Sequence, residues 1–226
     1  MNFFRQEELL RLIQLSSPML PIGSYAYSQG LEYAVSAEWV KDEESATDWI
    51  LGMLNHSHSQ LDVPILARLH EYWKKGDKDK VRSWNDYLFA SRETKELQAE
   101  ERHLSQALCK LLNELDIVDA KEWTSYPRGT FLLPFSLGAS YWRIPLEDTI
   151  SGYLWTWSEN QVLAAIKLVP LGQTTGQKIL SKVIGEIPKI MNIGLLLKDD
   201  EIGSSVPGQG VASALHETQY SRLFRS

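Results

Sequence analysis

Apolar residues recur along most of the chain at the spacing of an α-helix and almost nowhere at the period of two that a half-buried strand requires. Four of them, at positions 9, 12, 13 and 15, form one face of a first helix that ends before Pro18. The same spacing continues to about residue 198. The pattern predicts an all-α protein.

Polar residues mark where several early helices begin. A second helix is predicted from about Tyr25 to Ser36. Asp42 is placed as the N-cap of a third helix, with two glutamates in the positive first turn. Asp62, followed by Pro64 in a first turn, predicts the start of another helix.

The later helices differ in how widely their apolar residues spread. From about Ser91 to Leu115 the apolar stripe is narrow, which is typical of a helix at the surface. From 145 to 168 apolar residues lie on most sides, which predicts a central helix. Pro188 is expected to separate helices at about 178–185 and 187–197.

The composition changes after Lys198, where "DDEIGSSVPGQG" has the glycine, serine and proline content of a linker. The end of the chain regains apolar side chains and carries two arginines, as interface segments do. We therefore expect residues 1–198 to form a single compact bundle of about ten helices. Residues 199–226 are expected to form a linker and a flexible C-terminal tail that docks on a partner.

Charge and cysteine content narrow the function. A net charge of -6 and a pI near 5.4 argue against nucleic acid and membrane surfaces as partners. Cys109 is the single cysteine, so it can form no disulfide within the chain and no thiolate cluster for zinc. Because acidic residues interrupt the N-terminal segment and no apolar run approaches 18 residues, we expect a cytoplasmic protein without a membrane span.

Two short motifs suggest catalysis. "AYSQG" differs from the G-x-S-x-G nucleophile elbow only at its first residue, which would make Ser28 the nucleophile of a serine hydrolase. The elbow needs a preceding strand, and prolines precede this motif. "GQTTGQK" lacks the spacing and the Lys-Ser/Thr pair of a Walker loop, so we expect no bound nucleotide.

Metal ligation is weakly indicated. Glu100 and His103 form one E-x-x-H pair, but a di-iron bundle needs two such pairs and two further glutamates. The other histidines are isolated or fall on different helix faces. We predict no metal site and no cofactor, and the residues favour a binding or scaffold protein over an enzyme.

Two segments resemble the signatures of a known family. "LLRLIQLSSPMLPIGSYAYSQGLEYAV" resembles the N-terminal signature of the UreF urease accessory proteins, and "LVPLGQTTGQKIL" resembles their second signature. The resemblance covers nearly the whole chain. It implies an all-helical accessory protein of urease maturation that is not itself a GTPase.

The resemblance also implies partners. UreF proteins bind UreD, called UreH in some species, recruit the GTPase UreG and help deliver nickel to apo-urease, commonly as homodimers. Their C-terminal segment orders against UreD. It implies a partner-binding set here: Tyr27, Ser28, Gln29, Gly30, Glu32, Lys167, Pro170, Leu171, Gly172, Gln173, Gly176, Gln177, Tyr220, Arg222, Leu223, Phe224 and Arg225.

Overall fold

The computed structural model describes residues 3–226, and over this range it contains ten α-helices and no strand. The helices are α1 Phe3–Leu15, α2 Leu31–Ser36, α3 Glu43–Met53, α4 Val63–Lys75, α5 Lys78–Ala90, α6 Lys95–Glu114, α7 Leu132–Tyr141, α8 Leu146–Leu168, α9 Gln173–Leu196 and α10 Pro207–His216. They surround one apolar core. The predicted all-α bundle is confirmed.

Helix α8 lies at the centre of the bundle and packs against α1, α2, α3, α4 and α9. Its buried side chains include Ile150, Tyr153, Trp157 and Val162 and point in several directions around the helix axis. The wide spread of apolar residues predicted this central position. None of the described helices is both long and apolar enough to cross a membrane.

The chain is helical without a break from α3 to α4, because a π-helical stretch at Leu54–Asp62 joins them. Asp42 caps α3 as predicted, accepting a hydrogen bond from the backbone N–H of Ser45 at 2.9 Å. Helix α4 begins at Val63, directly after Asp62, as predicted. Asp62 does not cap it with its side chain, because its backbone is already helical and its side chain is buried in the core.

Helix α2 begins at Leu31 rather than at Tyr25. A 3₁₀ turn covers Ser24–Ala26, and then Gln29 and Gly30 take left-handed backbone conformations with φ of 54° and 85°. Two consecutive residues in this region cannot continue a right-handed helix. The part of the first signature before Leu31 is therefore a turn that leads into the short helix α2.

Pro188 lies inside α9 and does not divide it into two helices. A proline removes one backbone hydrogen bond, but Val183, Ile187 and Ile190 are all buried on the two sides of this one. Their packing stabilises α9 on both sides of Pro188, which the local sequence does not reveal.

The structure does not show the flexible C-terminal tail that the linker-like composition predicted. Helix α10 packs against α2 and α6, and the residues after it lie against the bundle. His216, Phe224 and Ser226 are all at least nine-tenths buried. The connection before α10 is also anchored, since the hydroxyl of Tyr87 donates to the carbonyl oxygen of Ile202 at 2.7 Å.

Candidate functional site

The turn before α2 pairs with the end of the chain. We call residues 26–32 the signature turn and residues 207–226 the C-terminal segment. The backbone N–H of Arg225 donates to the carbonyl oxygen of Ala26 at 2.8 Å, and that of Ser28 donates to the carbonyl oxygen of Ser226 at 2.9 Å. The Ser28 hydroxyl donates to the same carbonyl. Two regions almost 200 residues apart thus form one unit.

Glu32 is the main acceptor in this unit. Its Oε1 accepts from the backbone N–H of Leu223 at 2.6 Å, and its Oε2 accepts from that of Phe224 at 2.8 Å. The same Oε2 lies 3.0 Å from Nε2 of His216. The side chain is 7% exposed, so three groups of the C-terminal segment surround a carboxylate that water barely reaches.

His216 links this carboxylate to a second one. Its Nδ1 lies 2.7 Å from Oε2 of Glu96 on α6, and the other oxygen of Glu96 accepts from Arg222 at 2.7 Å. Each ring nitrogen of His216 thus lies within hydrogen-bond distance of one glutamate carboxylate. Two carboxylates and two basic side chains therefore alternate where α2, α6 and α10 meet.

Gln29 is held by both ends of its side-chain amide. The oxygen accepts from the indole N–H of Trp157 at 2.8 Å, and the nitrogen donates to Oε1 of Glu100 at 2.8 Å. The other oxygen of Glu100 accepts from the hydroxyl of Ser226 at 2.9 Å. Burial raises the pKa of the Glu100 carboxyl to about 7, although the bond from Gln29 favours its ionised form.

The E-x-x-H pair on α6 faces the signature turn. Glu100 bonds Gln29, and His103 Nδ1 lies 3.0 Å from the hydroxyl of Tyr27. Over residues 3–226 no group of three or more His, Cys, Asp or Glu side chains is placed to hold a metal ion. In this structure both members of the pair make hydrogen bonds to the signature turn.

Gly30 allows α10 to approach the signature turn closely. A Cβ atom built on Gly30 would lie 2.9 Å from the backbone nitrogen of Ser213 and 3.1 Å from the Cβ of Ala212. With a φ of 85° as well, the position favours glycine for two independent reasons. The Ser-Gln-Gly of the first signature is thus the place where the C-terminal helix α10 packs on the signature turn.

Lys167, directly before the second signature, touches the same unit. Its ammonium nitrogen lies 5.6 Å from the ring centroid of Phe224, a cation–π distance. Further along this signature, a Cβ on Gly176 would lie 2.5 Å from Cδ1 of Ile166, so Gly176 permits close packing of α9 on α8. Gly172, the residue before α9, lies in open space.

The predicted partner-binding residues divide by exposure. Those facing solvent are Lys167, Pro170, Gly172, Gln173, Gln177, Tyr220, Arg222, Leu223 and Arg225. Those buried are Tyr27, Ser28, Gly30, Glu32, Gly176 and Phe224, while Gln29 and Leu171 are half-buried. In the folded chain the first-signature members mainly bond within the protein.

Ser28 is not placed as a nucleophile. The residue is fully buried, its hydroxyl donates to the Ser226 carbonyl, and it accepts from the backbone N–H of Glu32 at 3.2 Å. No histidine makes a hydrogen bond to it among the described residues. The geometry lacks the base and the exposed elbow that a serine hydrolase needs.

A buried ionic cluster lies next to the signature turn. Asp62 accepts from Arg92 at 2.6 Å and from the Tyr153 hydroxyl at 2.8 Å, and Arg92 also donates to Glu101 at 2.6 Å. Burial opposes ionisation of Asp62, but the nearby Arg92 charge prevails and holds its pKa at about 2. Burial lowers the pKa of the adjacent His58 to about 4, which keeps its ring neutral at pH 7.

Sequence reasoning missed several residues of this unit, namely Glu96, Trp157, His216 and Ser226. His216 is isolated along the chain, because its carboxylate partners lie 120 and 184 residues away. The i,i+3 spacing of Glu100 and His103 did place both on one helix face. It gave no sign that this face meets the signature turn.

Comparison with known proteins gives consistent matches. A family model described as UreF matches residues 40–184. The urease accessory protein UreF of Alkalilimnicola ehrlichii is 50% identical over 216 residues, covering 96% of this chain and 95% of the relative. Those of Hahella chejuensis and Chromohalobacter salexigens are 40% and 43% identical over 218 residues, covering 96% of this chain and 98% and 94% of theirs.

Proposed function

Since the chain belongs to the UreF family of urease accessory proteins, we propose that it bridges UreD/UreH and the GTPase UreG during nickel-urease maturation. Family membership makes it an accessory protein of nickel-urease maturation and not an enzyme. The proposal adds which partners it joins, through which surface, and that it does so in the cytoplasm.

One observation carries the proposal: the C-terminal segment presents exposed interface-type side chains beside the second signature. Tyr220 is fully exposed and Leu223 is 65% exposed. Arg225 is also exposed. The ammonium group of Lys167 lies over the ring of Phe224, which stands between Leu223 and Arg225 in the chain. We call Lys167, Tyr220, Leu223 and Arg225 the docking face.

The chemistry of the docking face suits a protein partner. Tyrosine and arginine are enriched at interface hot spots, and exposed tyrosine and leucine side chains gain free energy when a partner covers them. We assign the C-terminal part, Tyr220 to Arg225, to UreD/UreH. Lys167 and the exposed second-signature residues are assigned to UreG, where their charge sets approach rate and pairing geometry.

Binding of UreG at this surface provides a route to control its nucleotide switch. A partner that prefers one state of a GTPase shifts the population toward that state. We propose that this coupling restricts GTP hydrolysis and nickel release to the complex that contains apo-urease. A homodimer of this chain, as the family resemblance implies, is part of the same proposal.

Purified proteins test the assignment. Tyr220→Ala with Leu223→Ala should weaken capture of UreD/UreH at least tenfold, and Lys167→Ala should reduce UreG recruitment and change its GTPase rate within the complex. Val118→Ala, which truncates a side chain that is 75% exposed on the 3₁₀-helix Val118–Trp123, is the matched control and should change neither. Full binding and urease activation by the Tyr220→Ala, Leu223→Ala variant and by Lys167→Ala would refute the docking face.

The mass of the assembly tests the homodimer. Light scattering of the chain with UreD/UreH should give two copies of each. A complex with one copy of each at micromolar concentration would contradict the dimer and leave the docking face intact.

A further inference from the structure

Gln29 has a backbone conformation that its residue type rarely adopts. Its φ of 54° lies in the left-handed region, and Gly30 follows it at 85°. A side chain with a Cβ atom is strained there, and residues in such conformations persist where surrounding contacts fix them, most often at binding sites. The shape of the signature turn therefore depends on what holds Gln29.

The side-chain amide of Gln29 is fixed at both ends by the helix bundle. The indole N–H of Trp157 on α8 donates to its oxygen at 2.8 Å, and its nitrogen donates to Glu100 on α6 at 2.8 Å. Trp157 and Glu100 are both more than nine-tenths buried, so water competes little for either bond. We call these two bonds the Gln29 clamp.

Other anchors of the signature turn also lie outside the C-terminal segment. The hydroxyl of Tyr27 lies 3.0 Å from Nδ1 of His103 on α6. Leu31, the first residue of α2, is fully buried in the core, and its backbone N–H donates to the carbonyl oxygen of Ser28 at 3.2 Å. The turn is thus held by α2, α6 and α8, and none of these contacts involves residues 207–226.

The turn offers backbone groups to the end of the chain. The carbonyl oxygen of Ala26 accepts from Arg225, and the N–H of Ser28 donates to the carbonyl oxygen of Ser226. Hydrogen bonds of this kind are directional, so they form only when the turn has the matching shape. The C-terminal segment itself can be mobile, as the family resemblance implies for a chain without UreD, while the surface that receives it stays formed.

We propose that Gln29 is a positioning residue, whose clamp between Trp157 and Glu100 keeps the signature turn formed as a receptor for the C-terminal segment. The segment orders on this receptor when UreD/UreH binds. Since only the segment has to be ordered, binding loses less conformational entropy than if both sides were mobile. The statement about the turn stands by itself, and the statement about UreD/UreH rests on the proposed function.

Hydrogen exchange in the isolated full-length protein tests whether the turn is formed without a partner. The indole N–H of Trp157 should exchange at least tenfold more slowly than that of Trp39, which is 45% exposed. Addition of UreD/UreH should slow exchange of the Arg225 amide and leave the Trp157 rate within about twofold. Protection of Trp157 that appears only with the partner would show that binding forms the turn, and this would overturn the proposal.

Two conservative variants separate the clamp from the backbone preference of the turn. Trp157→Phe keeps an aromatic ring and removes the indole N–H. Gln29→Asn suits a left-handed conformation better, but its shorter side chain cannot reach both Trp157 and Glu100. In the isolated chain both should speed exchange of the Leu31 amide about threefold or more, because the turn opens more often. Trp73→Phe, which removes an indole hydrogen bond between α4 and α7, is the matched control and should leave this rate unchanged.

Binding kinetics with purified UreD/UreH show whether the turn acts as the receptor. If only a fraction of molecules has the turn formed, association slows by that fraction, about threefold or more, with dissociation within about twofold of the parent. Trp157→Phe with Gln29→Asn should slow association no more than the larger single effect, because both break one clamp. If the backbone conformation alone mattered, Gln29→Asn would associate as fast as the parent, and this would overturn the proposal.

The clamp and the proposed function fail separately. Normal UreD/UreH binding by the Tyr220→Ala, Leu223→Ala variant would refute the docking face, and the exchange rates of the isolated chain would still decide the role of Gln29. Unchanged exchange of the Leu31 amide in both clamp variants would overturn the positioning role even if UreD/UreH binds as proposed.

Discussion

The indole N–H of Trp157, at the middle of the central helix, donates a hydrogen bond to the side-chain oxygen of Gln29 at 2.8 Å. This bond joins the signature turn to the rigid core, although the two residues are 128 positions apart. The other end of the Gln29 amide bonds Glu100, which in turn bonds Ser226. The core, the signature turn and the C-terminal segment are thereby connected in series.

This connection predicts a pH dependence of stability that Glu100 controls. The carboxyl ionises near 4.5 in the unfolded chain and near 7 in the folded protein. Between these values the folded protein holds a proton that the unfolded chain has lost. The contribution of Glu100 to stability therefore falls as the pH rises from about 4.5 to about 7, by about 3 kcal/mol in all.

Chemical denaturation of the parent and Glu100→Gln across this range measures the effect. The amide does not titrate, so the stability of the variant relative to the parent should rise with pH over the window. His58, whose pKa falls to about 4 on folding, has the opposite slope, but it is present in both proteins and cancels in the difference. A difference that is constant from pH 4.5 to 7 would show that Glu100 ionises normally.

Gly30→Ala should loosen the C-terminal segment, because the new methyl group meets the backbone of α10 at 2.9 Å. Gly23→Ala is the matched control: its φ of 74° is also left-handed, but nothing lies within 4 Å of a Cβ there. Both variants should lose roughly 1 kcal/mol of folding stability, because alanine is strained in the left-handed backbone conformation. Only Gly30→Ala should lose further stability and show faster amide exchange over residues 207–226. Equal stability and equal exchange in the two variants would argue against close packing at Gly30.

Arg92→Met should strongly destabilise the fold, because it leaves the carboxylates of Asp62 and Glu101 buried without their cation. Breaking a buried pair in this way costs about 3–5 kcal/mol. Lys189→Met is the control, since Lys189 pairs with Glu186 at 3.5 Å on the surface and should cost less than about 1 kcal/mol. Urea denaturation measures both, and a loss in Arg92→Met as small as in the control would mean that water solvates the cluster.

Removal of residues 207–226 should lower the melting temperature in addition to abolishing capture of UreD/UreH. The deletion uncovers Glu32 and Glu100 and removes the packing of α10 on α2 and α6. A loss of a few kcal/mol corresponds to about 5–10 °C for a chain of this size. The full-length Tyr220→Ala, Leu223→Ala variant is the control, because it keeps the buried anchors and should melt within about 1–2 °C of the parent. An unshifted melting temperature in the truncated protein would mean that the segment adds no stability.

Local patterns in the sequence were sufficient to predict that the chain is helical and where several helices lie. The period of apolar residues predicted the all-α class and the central position of α8, and Asp42 marked a helix start because an N-cap bonds within its own turn. Asp62 marked the start of α4 without capping it, and Pro188 misled the same reasoning. Helix propensity and capping are local, whereas the ion pair that holds Asp62 and the packing that keeps α9 continuous across Pro188 involve residues far away in the chain.

The family signatures implied a set of partner-binding residues, and the structure adds that part of this set is buried in the folded chain. Ser28, Gly30 and Glu32 are buried, and each contacts the C-terminal segment. A polar, glycine-rich composition indicates flexibility only when nothing buries the segment. Here buried carboxylates on α2 and α6 supply the missing partners.

The apolar period and the two signatures thus establish a helical accessory protein of the UreF family without any knowledge of its packing. The contact of Glu32 with Leu223 and Phe224, and of His216 with Glu96, follows only from the way α2, α6 and α10 meet in space. A helix period depends on neighbours three and four residues apart. The acceptor that a distant N–H finds depends on the whole fold, and this places the C-terminal segment against the protein instead of in solvent.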